Sequence, residues 1–488
     1  MSDIYINSVN EANYPSRRHF YNPDNNYPEY LWGEEEISSE RNYVYQMVRD
    51  SLYGLELDKE KFGTPEWNPF GTFINEGDTV LIKPNWVMHK NENLKVKENG
   101  MECLITHPSV VRAAIDFCLI ALKGTGTIIV GDAPMQGCDI HSLIQETGYK
   151  ELFDFYNKHN VKILPHDFRS YSVDLNKYKV LIRKIYNASE GIEVDINSFS
   201  QLKESKDNNI TYRVSDYSEE LTNSYHGIEY HKYLVNKKVL SADVVINLCK
   251  PKCHRLSGIT GALKNFVGII FDKACLPHRT AGSSEEGGDE YLYKSKLKNL
   301  MSRILHTKYR YEDQGKTRQA LSMRMVYGSL YYISRLFSKD KFLIGSWYGN
   351  DTIWRTIHDL YFILLYADKE GIIQQEKQRK IFNLADMIIS GEKNGPVSPE
   401  PKRVGVILSG FDAVFMDRII CEIMNFDYRK IPSVYNSLNN AKLITKPIDE
   451  IIIKSNNPSF NKSNYQELIF PLDWSFEAHE MWKGKIEK

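Results

Sequence analysis

Residues 79–132 open with Thr79-Val80-Leu81-Ile82-Lys83-Pro84-Asn85, pass through Thr106-His107-Pro108, and end with Thr127-Ile128-Ile129-Val130-Gly131-Asp132. The first and last pieces are short apolar runs rich in β-branched residues, which predict strands. Between them Pro108 stands where the first turn of a helix accepts proline. Val111, Ala114, Ile115, Cys118 and Leu122 then recur at helical spacing, and Gly124 sits where a C-terminal cap belongs. A strand, a helix and a second strand in that order predict a parallel crossover unit.

Further along, Ile140 to His159 reads as one more helix, and Val244 to Leu248 as a short, continuously apolar strand buried on both faces. Helical patterns cover Thr317 to Phe337, Thr352 to Ala367 and Ala413 to Met424, with strands at Met387 to Ile389 and Val404 to Leu408. The predicted class is α/β: a mostly parallel sheet covered by helices, with insertions and an N-terminal strap. In residue terms, 1–70 form the strap, rich in Tyr, Asn and Pro, with one helical stretch near Ser38 to Leu52. Residues 71–275 form the core, interrupted over about 165–238 by an insertion whose polar stretches include Lys203 to Asn209. A lid-like insertion follows at 276–346, then the second part of the core at 347–440 and a C-terminal extension at 441–488.

Composition bounds the function. Lys and Arg number 62 against 63 Asp and Glu, a net charge of -1, which argues against a surface built for nucleic acid or for an anionic membrane. No apolar run is long enough for a membrane span, and the first residues show no secretory signal. Seven cysteines, sparse and odd in number, do not make a disulfide framework. The expectation is a cytoplasmic protein with free thiols.

Polar residues gather just after each strand. The five tails are Lys83-Pro84-Asn85, Gly131-Asp132, Lys250-Pro251-Lys252-Cys253-His254, Glu392-Lys393-Asn394 and Gly410-Phe411-Asp412. If all five strands are parallel, these tails share the carboxyl edge of the sheet, where open α/β folds bind ligands. Polar residues also simply begin loops, but lysines at the mouths of buried strands need an anionic partner. The densest stretch runs from Lys250 to Gly268: Gly258, Thr260 and Gly261 make a turn with exposed amides, and Lys264 and Asn265 begin a helix. Amides at a helix start beside a lysine form an anion site, although the spacing is not that of a Walker loop. His254 is the candidate proton acceptor. His107, at a helix start, and His278, in the loop after the core, are further candidates. Asp386, Glu392, Asp412 and Asp417 supply carboxylates, with Asp412 more simply an N-cap. Cys249 and Cys253 beside His254 fit no zinc spacing.

These residues resemble the domain of unknown function 362 family. The likeness is carried by Val80 to Asn85, Thr106-His107-Pro108, Val130-Gly131-Asp132, Ala242 to Asn247, Lys250 to His254 and, most specifically, Gly258-Ile259-Thr260-Gly261-Ala262-Leu263-Lys264-Asn265. Asp386, Glu392, Asn394-Gly395-Pro396, Asp412 and Asp417 also fit. Many relatives carry a ferredoxin-like cysteine cluster that this chain lacks, so no iron–sulfur cluster is expected. The order of His254, Gly258, Gly261 and Lys264 is more distantly similar to the nickel-pincer lactate racemase family. That likeness implies a lysine carrying the cofactor and a histidine acting as base.

The resulting expectation is an enzyme acting on a small carboxylate- or phosphate-bearing metabolite by proton or hydride movement. Lys83, Lys250 and Lys252 would hold the anion, with Asn85, His107, Thr260, His278 and Asn394 nearby. His254 and Lys264 would be catalytic, positioned with Asn265 by the Gly258–Gly261 turn. Asp132, Asp386 and Glu392 would orient hydroxyls or a divalent ion, and a nickel-pincer-like cofactor is the other cofactor implied. Two alternatives stand beside it: a non-catalytic ligand- or partner-binding component of a biosynthetic pathway such as one for surface polysaccharide, and a redox protein without its own iron–sulfur cluster.

Overall fold

The computed structural model describes residues 3–11, 13–175, 180–185, 189–202, 210–462 and 467–488. Among the described residues, ten strands build one large sheet. In chain order they are β1 (Ile4–Ser8), β2 (Thr79–Pro84), β3 (Thr127–Asp132), β4 (Pro165–Asp167), β5 (Val244–Cys249), β6 (Lys252–His254), β7 (Gly258–Thr260), β8 (Lys380–Asn394), β9 (Ser398–Gly410) and β10 (Ile453–Ser455). Their order across the sheet is β10-β1-β9-β8-β5-β2-β3-β4, with β6 joined to β8 and β7 to β6.

From β4 through β3, β2 and β5 to β8 every pairing is parallel. Burial on both faces explains why these strands read as apolar runs: all of β5 is buried, and all of β2 after Thr79. Alternate residues still choose different sides, because side chains along a strand alternate. Val80, Ile82, Val244 and Ile246 pack into the layer holding the helices Tyr43–Gly54 and Pro108–Leu122. Leu81 and Val245 pack into the opposite layer, with Ile353–Tyr366 and Ala413–Ile423. The chain is therefore an α/β fold with helices on both faces of a mostly parallel sheet.

The structure departs from the sequence expectation at three places. The stretch 140–159 is two helices, Ile140–Glu146 and Tyr149–Lys158. Gly148 breaks it at φ +89°, and a Cβ there would lie 1.9 Å from the Tyr21 hydroxyl. The strands expected at 387–389 and 404–408 are the middles of one long hairpin, β8 and β9. Only a turn at 395–397 joins them, far too short for a crossover, so β9 runs antiparallel. That reversal sets Gly410 opposite Asn383 near the start of β8, so Gly410-Phe411-Asp412 emerges at the other edge of the sheet. There Asp412 caps the helix Ala413–Ile423, accepting from the amides of Val414 and Phe415 at 2.9 and 3.2 Å.

Within 165–238 lie β4 and two antiparallel strand pairs, Tyr171–Leu175 with Leu181–Ile185 and Gly191–Asp195 with Lys232–Asn236; the Lys203 to Asn209 stretch lies outside the described residues. The segment after 276 carries the helices Lys296–Asp313 and Thr317–Phe337. It is rooted by the buried Glu290, held between Arg213 at 2.7 Å and Arg279 at 2.8 Å. The first seventy residues contribute the helix Tyr43–Gly54 and β1, which is inserted between β9 and β10.

Candidate functional site

The sheet grows outward from β2 to β3 and β4 on one side and from β5 to β8 on the other. Strand order therefore reverses between β2 and β5, and a crevice opens past their carboxyl ends. A cavity of about 170 Å³ occupies it. Asn85, Asp132, Lys252, His254, Thr260, Lys264, Asn265 and His278, all expected from the sequence, line it together.

Its floor is a fully bonded polar layer. Lys83, with no exposed surface, donates to Asp132 Oδ1 at 2.5 Å, and Asp132 Oδ2 accepts from the Trp86 amide at 2.7 Å. Burial alone would be costly for either charge, and together they satisfy one another. Gly268 presses on this pair: a Cβ there would sit 1.8 Å from Asp132 Oδ1. Side-chain amides continue the layer across the strands. Asn383 Oδ1 accepts from Asn247 at 2.9 Å, Asn247 Oδ1 from Asn265 at 2.7 Å, and Asn265 Oδ1 from Asn85 at 2.8 Å. Asn85 Oδ1 in turn accepts from Lys252 Nζ at 2.7 Å. Lys83 thus belongs to the foundation and does not line the cavity.

The short helix Ala262–Asn265 is set by Asp417, whose carboxylate accepts from the amides of Ala262 and Leu263 at 2.5 and 3.2 Å. Burial pushes that carboxyl up to about 7 against the pull of the two amides. Gly261 permits the approach, since a Cβ there would lie 2.1 Å from Asp417 Oδ1. Gly258 takes a left-handed φ of +77° at the preceding turn.

Above this floor stand groups without partners. Among the described residues, Lys264 Nζ and the Arg255 guanidinium form no hydrogen bond or ion pair, and both face the cavity. Burial and the neighbouring Arg255 pull the Lys264 amine down to about 8. Lys252 falls to about 7 through burial and the nearby Lys250, and Lys273 to about 7 chiefly through burial. The Thr260 hydroxyl is buried with no partner. His254 Nδ1 accepts from the amides of Leu256 and Ser257 at 3.0 and 3.3 Å, so the neutral ring carries its proton on Nε2. Burial and Lys264 keep that ring neutral, well below its usual range. His278 is the opposite tautomer: Nδ1 donates to the Leu276 carbonyl at 2.7 Å, leaving Nε2 bare, and burial pulls the ring down to about 3. Asp216, raised by burial, is the cavity's second carboxylate.

The other expected residues lie elsewhere. Lys250 pairs with Asp386 at 3.0 Å, and Tyr14 from the strap donates to Asp386 at 2.5 Å while accepting from Lys250 at 2.6 Å. His107 stacks on the Tyr14 ring at 4.0 Å, and its backbone amide donates to Asp386. These four make a closed cluster outside the cavity. Glu392 Oε2 accepts from the Glu477 amide, and Asn394 Oδ1 from that of Glu480, so both fasten the C-terminal extension. Of the cavity residues, Arg255, Lys273 and Asp216 were not foreseen. Arg255 adjoins His254 in the densest stretch and was legible there, whereas Asp216 comes from the insertion, where no motif points to it.

A divalent ion shared by Asp132, Asp386 and Glu392 does not fit, because each carboxylate is engaged in a different place. Among the described residues, no three His, Cys, Asp or Glu side chains come together as a ligand set. The histidine role implied by the nickel-pincer likeness does not fit, since the nitrogen His254 has left for the cavity carries a proton.

Fold and cleft together define an open α/β protein with a cation-rich crevice at the switch point of its sheet. The chain belongs to the family described as Domain of unknown function (DUF362), which matches residues 80–203 and 199–422. No curated protein matches the sequence. Among solved structures, a protein from Thermotoga maritima is similar at 12% identity and a TM-score of 0.30, over 78% of this chain. The match spans 58% of that protein's length.

Proposed function

We propose that the cleft binds a small carboxylate- or phosphate-bearing molecule and moves a proton on it. One observation carries this reading: Lys264, Arg255, Thr260 and the Nε2–H of His254 converge as donors on one cavity without acceptors of their own. Buried donors left unpaired are costly, and an anion satisfies several at once. In this reading Lys264, whose amine titrates near 8, is the proton acceptor in its neutral form. His254 is not the base; it donates from Nε2 to an oxygen on which charge develops. His278 Nε2 and Asp216 accept from a substrate hydroxyl. The modest volume favours a small metabolite over a dinucleotide.

The test compares Lys264→Arg with wild type, by calorimetry and by turnover on 2-hydroxycarboxylates and phosphorylated small molecules. Arginine keeps the charge but does not deprotonate. Binding within a few fold of wild type, with turnover lower by roughly 10²–10⁴, supports an enzyme using that amine. Normal binding in both proteins and no turnover in either gives the cleft to a binding component instead. Anion binding unchanged in Lys264→Met and Arg255→Met would remove the cleft from consideration.

A further inference from the structure

The helix Thr317–Phe337 is 21 residues long, yet only Ala320 and Ser334 on it are buried. It packs chiefly on the helix before it, Lys296–Asp313. Its large apolar side chains turn outward: Met325, Val326, Tyr332, Ile333, Leu336 and Phe337 are all exposed, the last two at 79% and 78%. Their spacing of three, four and seven places them on one face of the helix. Solvent-facing apolar groups in such a continuous stripe mark an interaction surface.

Charge decides what covers it. From Gln314 to Lys339 there is no Asp or Glu, while Lys316, Arg318, Arg324, Arg335 and Lys339 are all basic. A second copy laid on this face would bring two such sets of cations together with no carboxylate on either helix. An anionic lipid surface accepts both features: apolar side chains enter the boundary of headgroups and acyl chains, while the long basic side chains reach the phosphates. No helix among the described residues is long and apolar enough to cross a membrane, so this one would lie in the surface plane. We infer that Thr317–Phe337 is a membrane-surface helix that docks the protein on anionic lipid. The near-zero net charge of the whole chain, which argues against such a patch, averages this stretch away.

The experiment is co-sedimentation of the full chain with phosphatidylcholine vesicles, with and without phosphatidylglycerol. Binding is expected only with phosphatidylglycerol and should weaken as salt rises, by roughly fivefold for each basic contact fully screened. The double variant Leu336→Glu and Phe337→Glu changes exposed residues only, so its circular dichroism should match wild type. Its partition should fall by roughly tenfold or more. Failure of wild type to bind anionic vesicles overturns the inference, as does binding that this folded variant retains. A concentration-dependent dimer in lipid-free solution, abolished by the same variant, would assign the face to a second copy and also overturn it.

Discussion

Replacing Lys264 by methionine keeps an unbranched side chain one atom shorter and removes its charge, which separates a ligand-binding amine from a structural one. The amine titrates near 8 instead of 10.5, so at pH 7 it is protonated in both the folded and unfolded chain. At 1.36 kcal/mol per pH unit, holding that charge in the folded cleft costs about 3 kcal/mol at most, and partial exposure brings this to about 1–3 kcal/mol. The sign follows from proton counts. Between about pH 8 and 10.5 the unfolded chain keeps a proton that the folded chain has released, so stability rises with pH across that window. Below 8 the full penalty is present, and above 10.5 it is gone. Lys264→Met should therefore be more stable than wild type at pH 7, by about 1–3 kcal/mol, and the gap should close as pH approaches 10.5. Urea denaturation followed by circular dichroism measures this directly. Added inorganic phosphate should raise the wild-type midpoint more than that of the variant. A variant less stable than wild type at pH 7 by more than about 1 kcal/mol would mean that the amine has an internal partner, and the reasoning would be wrong.

Lys83→Met should do the opposite, losing about 3–5 kcal/mol by leaving Asp132 charged and buried; a urea midpoint near that of wild type would show the pair to be dispensable. Gly268→Ala should lose about 1–3 kcal/mol and also anion binding, because its methyl displaces Asp132 from Lys83; full binding in a stable variant would contradict this. Anion affinity, measured by calorimetry, should fall as pH rises through about 8, where Lys264 gives up its charge, and a flat profile would move the anchor to Arg255 alone.

The parallel half of the fold was legible because burial on both faces leaves a plain signature. Val244 to Leu248 and Val80 to Ile82 could only be interior strands, and Pro108 marked its helix start. The direction of β9 was not legible from apolarity, since a run such as Val404 to Leu408 looks the same in either sense. Gly395-Pro396 was the cue, because a turn joining two long strands forces antiparallel pairing. The Lys250–Gly268 stretch yielded five of the eight expected residues that line the cleft, since glycines, lysines and a histidine there are close in sequence. Lys83, Lys250 and Asp386 share that chemistry but are consumed by pairing with Asp132, with one another and with Tyr14, and pairing between distant segments leaves no trace in spacing. His254 shows the same limit at the level of one proton: which nitrogen carries it depends on the amides of Leu256 and Ser257.

The position of β1 has a consequence for how the chain comes into being. Ile4 and Ile6 are fully buried, yet β1 finds its partners only in β9, where Ile6 pairs with Leu408, and in β10, where Ile4 pairs with Ile453. About 400 residues separate the first pair, so at ribosomal rates of roughly 5–20 residues per second this strand waits some 20–80 s for its place. Through that interval it is an apolar ribbon with open hydrogen-bonding edges, in need of shelter from other nascent chains. Residues 4–8 are thus made some 400 residues before the strand that secures them, and deleting residues 3–8 would uncover the edge of β9.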